Sequence, residues 1–113
     1  MSEFIFVYRG DQSAISHEHA TEYRQRWITW ISKLGESGHL VDRGQPLEAT
    51  GKVVDGKRSI VTDGPYAETK DVVGGYSLIE AKDLDHAVEL SARCPIFEVG
   101  GLVEIRPVIK LGV

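Results

Sequence analysis

The order of the apolar segments predicts an α+β fold of the ferredoxin-like type, β-α-β-β-α-β with an extra β-hairpin. Two amphipathic helical patterns alternate with runs of β-forming residues, which is typical of two split β-α-β units. The chain has 113 residues and 42% hydrophobic content, which is enough for one core of its own. We therefore expect a single domain over residues 1–113.

The first half of the chain predicts a strand, a long helix and a connecting loop. Residues 3–9 predict a strand, because most of them are apolar β-formers. Residues 16–36 predict a helix, with Ser16 as its N-cap and Gly38 as the residue that ends it. Residues 39–47 are expected to form a loop or a short strand. The apolar stripe of the helix has the expected spacing of three and four and consists of Ala20, Tyr23, Trp27, Trp30, Ile31 and Leu34.

A hairpin and a central strand follow. Residues 52–57 and 60–61 suggest a hairpin, and the first segment contains Asp55-Gly56, a pair that favours a tight hairpin turn. Residues 72–81 predict a strand. The pair Gly74-Gly75 inside it indicates a bulge or a close approach of another backbone.

The last quarter predicts a short helix and a final strand. Residues 83–93 predict the helix, with Asp83 as its N-cap, and Pro95 stops it. Residues 102–109 predict the last strand, and Pro107 near its end favours an edge position. The inner stripe of the helix is expected to be Leu84, Ala87, Val88 and Ser91.

The first strand is apolar on both of its faces. Phe4, Phe6 and Tyr8 point one way, while Ile5 and Val7 point the other. A sheet that is apolar on both faces needs cover on both, and two helices cover only one. We therefore expect a homodimer in which two sheets pack face to face about a two-fold axis.

Composition excludes several classes of protein. The net charge is −4 and the basic residues are not clustered, so nucleic acid is not an expected partner. A single cysteine allows no internal disulfide, and no apolar run reaches the length that spans a membrane. The N-terminus lacks the features of a signal peptide, so we expect a cytoplasmic protein. The four histidines show no metal-ligand spacing, and neither a metal nor a cofactor is expected.

The most distinctive polar segment is the loop of residues 63–70. It follows an apolar pair and contains a strand-breaking Gly-Pro. If Asp63 is buried at the end of a strand, it is a candidate catalytic residue, as a general base or by orienting a ligand hydroxyl. Its carboxylate can instead bond the backbone of the following turn. Tyr66 is a candidate ligand-binding residue, as are the charged residues of the rim, Glu68 and Lys70.

Two arginines near strand ends are candidates for binding an anion. Arg9 and Arg106 each carry a guanidinium that can hold an anionic substrate with two hydrogen bonds. Each can equally pair with an acidic neighbour such as Glu104 or Asp63. The residues alone leave both interpretations open.

The chain resembles the YCII-related family. The stretch Asp63-Gly64-Pro65-Tyr66 resembles the family's Asp-Gly-Pro-Phe (DGPF) signature, with Tyr66 in the Phe position. Residues 6–10, 30–47 and 103–108 are similar to other segments of the family, so the resemblance covers nearly the whole chain. It implies a single YCII-related domain of the DGPF type and a dimeric α+β barrel.

The same resemblance bears on whether the protein is an enzyme. Many relatives carry a histidine on the first helix and an aspartate before a proline after the second helix, a proposed catalytic dyad. The matching positions here hold Trp27 and Cys94, and no proton-shuttling pair forms from them. Enzymatic activity is therefore left open, and the catalytic assignment moves to Asp63. Trp27 is expected to pack in the core from its place on the apolar stripe and is also a candidate ligand-binding residue. Cys94 is expected to be a buried small side chain.

Two functions follow from these patterns. The first is binding or transformation of a small molecule in a pocket of the barrel near the loop of residues 63–70. The alternative, implied by the resemblance, is a non-enzymatic interaction module that associates with sigma factors in transcription initiation. A haem-dependent activity ranks below both, because no histidine is well placed as an axial ligand.

Overall fold

The computed structural model of the protein describes residues 1–11, 15–64 and 72–112. In these ranges strands and helices follow the predicted order. The strands are β1 (Ser2–Arg9), β2 (Leu40–Asp42), β3 (Gly51–Asp55), β4 (Ile60–Gly64), β5 (Val73–Ala81) and β6 (Leu102–Pro107). The helices are α1 (Ala20–Glu36) and α2 (Leu84–Ser91). Short 3₁₀ turns lie at His17–His19 and Pro95–Val99.

The main sheet has four antiparallel strands in the order β2-β5-β1-β6. The two central strands, β1 and β5, each precede a helix, which is the ferredoxin-like arrangement of two split β-α-β units. The predicted α+β fold class is therefore confirmed. Strand β6 lies at an edge, as Pro107 predicted. Strands β3 and β4 form the extra hairpin as a separate two-stranded sheet.

The predicted end of α1 at Gly38 and the predicted N-cap of α2 at Asp83 are both confirmed. Gly38 has φ of +81° and lies just past the end of α1, where His39 N–H bonds the Leu34 carbonyl at 3.0 Å. The Asp83 carboxylate accepts a hydrogen bond from the His86 N–H at 2.8 Å and so caps α2.

The helix boundaries and one buried stripe differ from the predictions. Ser16 precedes a 3₁₀ turn and makes no side-chain capping bond to the described residues, so α1 starts later than expected. Helix α2 ends at Ser91, two residues earlier than predicted. Pro95 requires an extended backbone at the preceding residue, Cys94, so the helix has to end before that position. The inward assignment of Leu84 and Val88 is wrong, since they are 45% and 52% exposed. Only the small side chains of the predicted α2 stripe are buried, and the stripe turns instead toward the partly buried Leu90. The buried pair is Ala87 and Ser91.

The hairpin forms as predicted, but its turn is wider. Asp55 and Ile60 are the last paired residues, so four residues connect the strands where a tight turn was predicted. The Asp55 carboxylate accepts hydrogen bonds from the N–H groups of Lys57 at 3.0 Å and Arg58 at 3.2 Å. These bonds stabilise the wider turn.

The two faces of the main sheet differ in cover. On the covered face Phe4, Phe6 and Tyr8 of β1 are buried against α1, α2 and the second 3₁₀ turn. Antiparallel partners share a face, so Ser77 and Ile79 of β5 belong to it as well. The open face carries the alternate residues, which are only partly buried in the single chain and stand outside the core cluster. They include Ile5, Val7, Tyr76, Leu78 and Glu104.

Candidate functional site

A bulge and a glycine-lined loop shape one end of the covered face. The pairing of β1 with β5 skips Gly74, since Tyr8 opposes Gly75 and Arg9 opposes Val73. A Cβ on Gly75 would lie 3.1 Å from the Gln45 carbonyl oxygen, so the loop after β2, which contains Gln45, approaches the β5 backbone closely. The prediction of a bulge or a close approach at Gly74-Gly75 is confirmed, and both occur.

The loop after β2 depends on one glycine. Gly44 has φ of +68°, and a Cβ there would lie 1.8 Å from the Tyr76 carbonyl oxygen. No other residue fits this contact without moving the backbone. The Gly44 N–H donates to the Asp42 carboxylate at 2.8 Å, which fixes the turn. The loop is thereby held against β5, where it forms one wall of a cavity.

A cavity of about 580 Å³ lies between α1, the covered face and this loop. We call it the helix–sheet cavity. Its volume falls within the range of small-molecule sites. Spacings of three and four place six residues of α1 along one wall, and Tyr8, Ser77 and the loop of residues 43–46 contribute to the others. The α1 wall consists of Tyr23, Arg24, Trp27, Ile28, Ile31 and Ser32.

Aromatic rings build the apolar part of this cavity. The Tyr8 and Trp27 rings meet edge to face with centroids 4.8 Å apart, and Tyr23 lies 6.4 Å from Trp27. Trp30 supports Trp27 from the core at 5.7 Å. Such contacts fix the rings and leave their remaining surface as a rigid wall.

The indole N–H of Trp27 is buried and finds no acceptor in hydrogen-bonding geometry among the described residues. The indole is nevertheless near enough to the Tyr23 hydroxyl to oppose the rise in that group's pKa, which burial causes. A buried donor without a partner is uncommon in a folded protein. It is the one unsatisfied buried polar side-chain atom of the described chain, and its ring lines the cavity.

Two linked hydrogen bonds connect residues of the cavity lining, from Tyr8 through Ser77 to Arg43. The Tyr8 hydroxyl donates to Ser77 Oγ at 2.7 Å, and Ser77 Oγ donates to the Arg43 carbonyl at 2.7 Å. Burial raises the pKa of Tyr8 well above its ordinary value, and the bond to Ser77 only partly opposes this. The phenol therefore stays neutral at physiological pH and holds the loop to the sheet.

Among the predicted site residues of the described chain, only Trp27 lines the cavity. Asp63 lies on the hairpin, where its side chain is 88% exposed and pairs with Lys52. The burial on which its catalytic interpretation depended is absent in the single chain. Tyr66, Glu68 and Lys70 lie outside the described residues.

Arg9 and Arg106 lie on the open face, away from the cavity. The Arg9 Nε is 2.8 Å from Glu104 Oε1, so the pairing that the sequence left open is confirmed. Arg106 opposes Ile5 in the register and is exposed. The structure therefore does not bring these arginines together with Trp27.

The two positions of the family dyad belong to one core. Cys94 is 2% exposed, as expected of a buried small side chain, and Trp27 packs against the same cluster. Burial raises the pKa of the Cys94 thiol to about 12. Neither residue offers a proton acceptor near neutral pH, and the thiol is unsuited to act as a nucleophile.

Two charged residues of the cavity, Arg24 and Arg43, were not among the site residues predicted from the sequence. They line it from two separate elements, and neither forms an ion pair with a described residue. Arg24 lies three and four residues before Trp27 and Ile28, a spacing that places it on their side of α1. Arg43 directly precedes Gly44-Gln45-Pro46, a sequence typical of an ordered turn.

Comparison with known proteins identifies the family. A family model of the YCII-related domain matches residues 1–111. The fold is also similar to that of 5-chloro-2-hydroxyhydroquinone dehydrochlorinase (TftG) from Burkholderia phenoliruptrix AC1100, solved in complex with 2,5-dihydroxybenzoquinone. The identity is 15%, the TM-score is 0.48, and the match covers 95% of this chain and 93% of that one. A search of curated proteins finds no significant match. In the described ranges, no helix is both long and apolar enough to cross a membrane.

Proposed function

This chain belongs to the YCII-related family, and we propose that it binds a small organic molecule in the helix–sheet cavity. The observation that supports the proposal is a cavity of about 580 Å³ with fixed aromatic walls and few polar groups. Natural ligand sites have this combination, because apolar surface supplies affinity and a few polar atoms set orientation. The Trp27 N–H without an acceptor is one such atom.

The described lining supports binding better than proton transfer. It carries hydroxyls and two guanidinium groups, but no carboxylate or imidazole among the described residues. The Tyr8 phenol is neutral and already donates to Ser77, so it is a poor base. Asp63 stays a predicted catalytic residue, and its role would require the hairpin to reach a cavity.

A thermal-shift screen against a broad metabolite set tests this function. We expect at least one compound to raise the melting temperature, since a ligand at a hundred times its Kd stabilises the native state by about 2.7 kcal/mol. Ser32→Trp should fill the cavity from its exposed rim and abolish the effect. Thr29→Trp, on the same helix but outside the lining, is the matched control and should keep it.

The outcomes separate the possibilities. No stabilising compound for the well-folded protein, or hits that survive Ser32→Trp unchanged, would overturn the proposal. Asp63→Asn in the same screen tests the predicted catalytic residue. A hit lost in Asp63→Asn would place the hairpin at the cavity of the same chain or of a second copy.

We also propose that the protein is a homodimer joined through the open face. Ile5, Val7 and Leu78 form an apolar strip on β1 and β5 that no described helix covers. The Arg9–Glu104 pair lies at its edge. A polar rim around an apolar centre is typical of protein interfaces. A second copy placed by a two-fold axis would present the same strip in return.

Sedimentation equilibrium of Leu78→Asp tests the dimer. A carboxylate buried without a partner costs about 3–5 kcal/mol, so the dimer Kd should rise at least about a hundredfold. Val88→Asp, on the exposed side of α2, adds the same charge and should leave the Kd unchanged. A monomeric wild type, or equal effects of both variants, would contradict the proposed interface.

The alternative function, contact with a sigma factor, also stays a prediction. The observation that favours a protein contact is the hairpin, where Val54 and Val61 oppose each other and are 71% and 62% exposed. Binding to purified sigma factors of the same organism should then fall in Val54→Asp. Binding that is equal in this variant and in wild type would remove the hairpin as the contact. A cytoplasmic location is proposed with either function.

A further inference from the structure

We infer that the ligand of the helix–sheet cavity is a flat aromatic compound with an anionic group. This inference rests on the proposed function and adds the class of ligand. Two features of the cavity carry it, a pair of arginines from separate elements and the aromatic rings that line the same space.

Arg24 and Arg43 bring positive charge to the cavity from two separate elements. Arg24 lies on α1 and Arg43 in the loop after β2. The chain has 17 acidic residues, yet none of those described lines this cavity or pairs with either arginine. Three other arginines, in contrast, are engaged by carboxylates, as Arg9 is by Glu104. An acidic protein that leaves two guanidinium groups at one cavity is suited to bind an anion there.

The position of Arg43 is fixed rather than incidental. Its carbonyl accepts the Ser77 hydroxyl at 2.7 Å, and the next residue, Gly44, fits only without a Cβ. The backbone that carries this guanidinium is therefore held to the sheet. The exposed side chain of Arg43 therefore starts from a fixed point at the cavity, within reach of an anion bound there.

The rest of the cavity lining suits a ring. Tyr8 and Trp27 present fixed aromatic surface, and Ile31 and Pro46 add apolar cover. A flat ring stacks or packs edge-on against such walls, whereas a flexible aliphatic chain gains less from them and loses more entropy. The ring would lie on the aromatic wall, with its anionic group at the arginines.

Isothermal titration calorimetry with three probes tests the inference. The probes are 2-naphthoate, its neutral counterpart 2-naphthamide, and octanoate, an anion without a ring. We expect 2-naphthoate to bind about tenfold or more tightly than either of the others, since a hydrogen bond to a charged group exceeds a neutral one. Arg24→Gln and Arg43→Gln should each weaken 2-naphthoate about tenfold and leave 2-naphthamide nearly unchanged.

Arg93→Gln is the matched control, because it removes the same charge from an exposed arginine outside the lining and without an ion pair in the described chain. It should leave all three affinities unchanged. Equal binding of 2-naphthoate and 2-naphthamide, or no binding of either, would overturn the inference. The proposed function would survive that result if Ser32→Trp still abolished the hits of the metabolite screen. Hits that ignore Ser32→Trp would remove both.

Discussion

The covered and open faces of the same sheet both carry apolar side chains but differ in burial and in charge, since Arg9, Glu104 and Arg106 all lie on the open face. On the covered face Phe6 and Ile79 are fully buried, and the helix–sheet cavity opens where the bulge ends the regular pairing. On the open face Ile5 and Leu78 stay partly exposed in the single chain. The alternation of a β-strand therefore divides one sequence into a ligand-binding side and a side suited to assembly.

The two-sidedness of the sheet also explains why the predicted site residue Arg9 does not lie at the cavity. Arg9 directly follows Tyr8 in β1, but the two side chains lie on opposite faces. One lies in an ion pair on the open face, and the other in the cavity. A residue near a strand end can contribute to a site only when the alternation along the strand places its side chain on the same face as that site.

The largest test of the comparison uses two isoleucines. Ile79→Ala removes a fully buried side chain from the covered face and should lower the free energy of unfolding by about 2–5 kcal/mol. Ile5→Ala makes the same change on the open face. We expect a smaller loss there, which should grow with protein concentration if the dimer forms. Urea unfolding at two protein concentrations measures both. Equal losses that are independent of concentration would break the comparison.

The next test concerns the loop that closes the covered face. Gly44→Ala should destabilise the protein by more than about 2 kcal/mol, because it adds a backbone clash to the strain of a positive φ. Gly38→Ala is the control, since its φ of +81° carries the strain while its Cβ would have open space. It should cost about 1 kcal/mol. Similar losses in thermal unfolding would show that the Gly44 loop yields, and that the cavity wall is not rigid.

Titration of the covered face gives a pH dependence. The pKa of Cys94 rises from its ordinary 9.0 to about 12 because the thiol is buried. The unfolded chain therefore loses this proton first as the pH increases, so the native state is favoured fully below pH 9 and progressively less up to pH 12. The slope is at most about 1.4 kcal/mol per pH unit. Cys94→Ala should flatten the fall in unfolding free energy across this window, and an unchanged slope would show that the thiol is not the group responsible.

Local chemistry explains which parts of the fold were predictable. The Gly38 end of α1, the Asp83 cap and the double glycine of β5 each depend on a few adjacent residues. The ferredoxin-like order followed from patterns of period two and 3.6. The α2 stripe was wrong at Val88, because the helix approaches the sheet through its smallest side chains and not through its largest.

The candidate site was less predictable, because it depends on contacts between distant segments. Arg24 and Arg43 look like surface charges in the sequence, and only the folding of the loop against β5 brings both to one cavity. Asp63 stood out because of its polar neighbours, yet alternation along the hairpin turns it outward. Trp27 became a site candidate through the family resemblance alone, while its position on the apolar stripe predicted core packing, and in the structure the indole packs against the core and also lines the cavity.

The smallest expected effects come from removing one polar contact on each face of the sheet. Ser77→Ala should cost about 1–3 kcal/mol, because it leaves the buried Tyr8 hydroxyl and the Arg43 carbonyl without partners. Glu104→Gln, which breaks the ion pair with Arg9 on the open face, should cost less than about 1 kcal/mol and still less at high salt. Both are measured by urea unfolding of the same protein at low and high salt. A Glu104→Gln loss as large as that of Ser77→Ala, and insensitive to salt, would mean that the open face is buried in solution as deeply as the covered one.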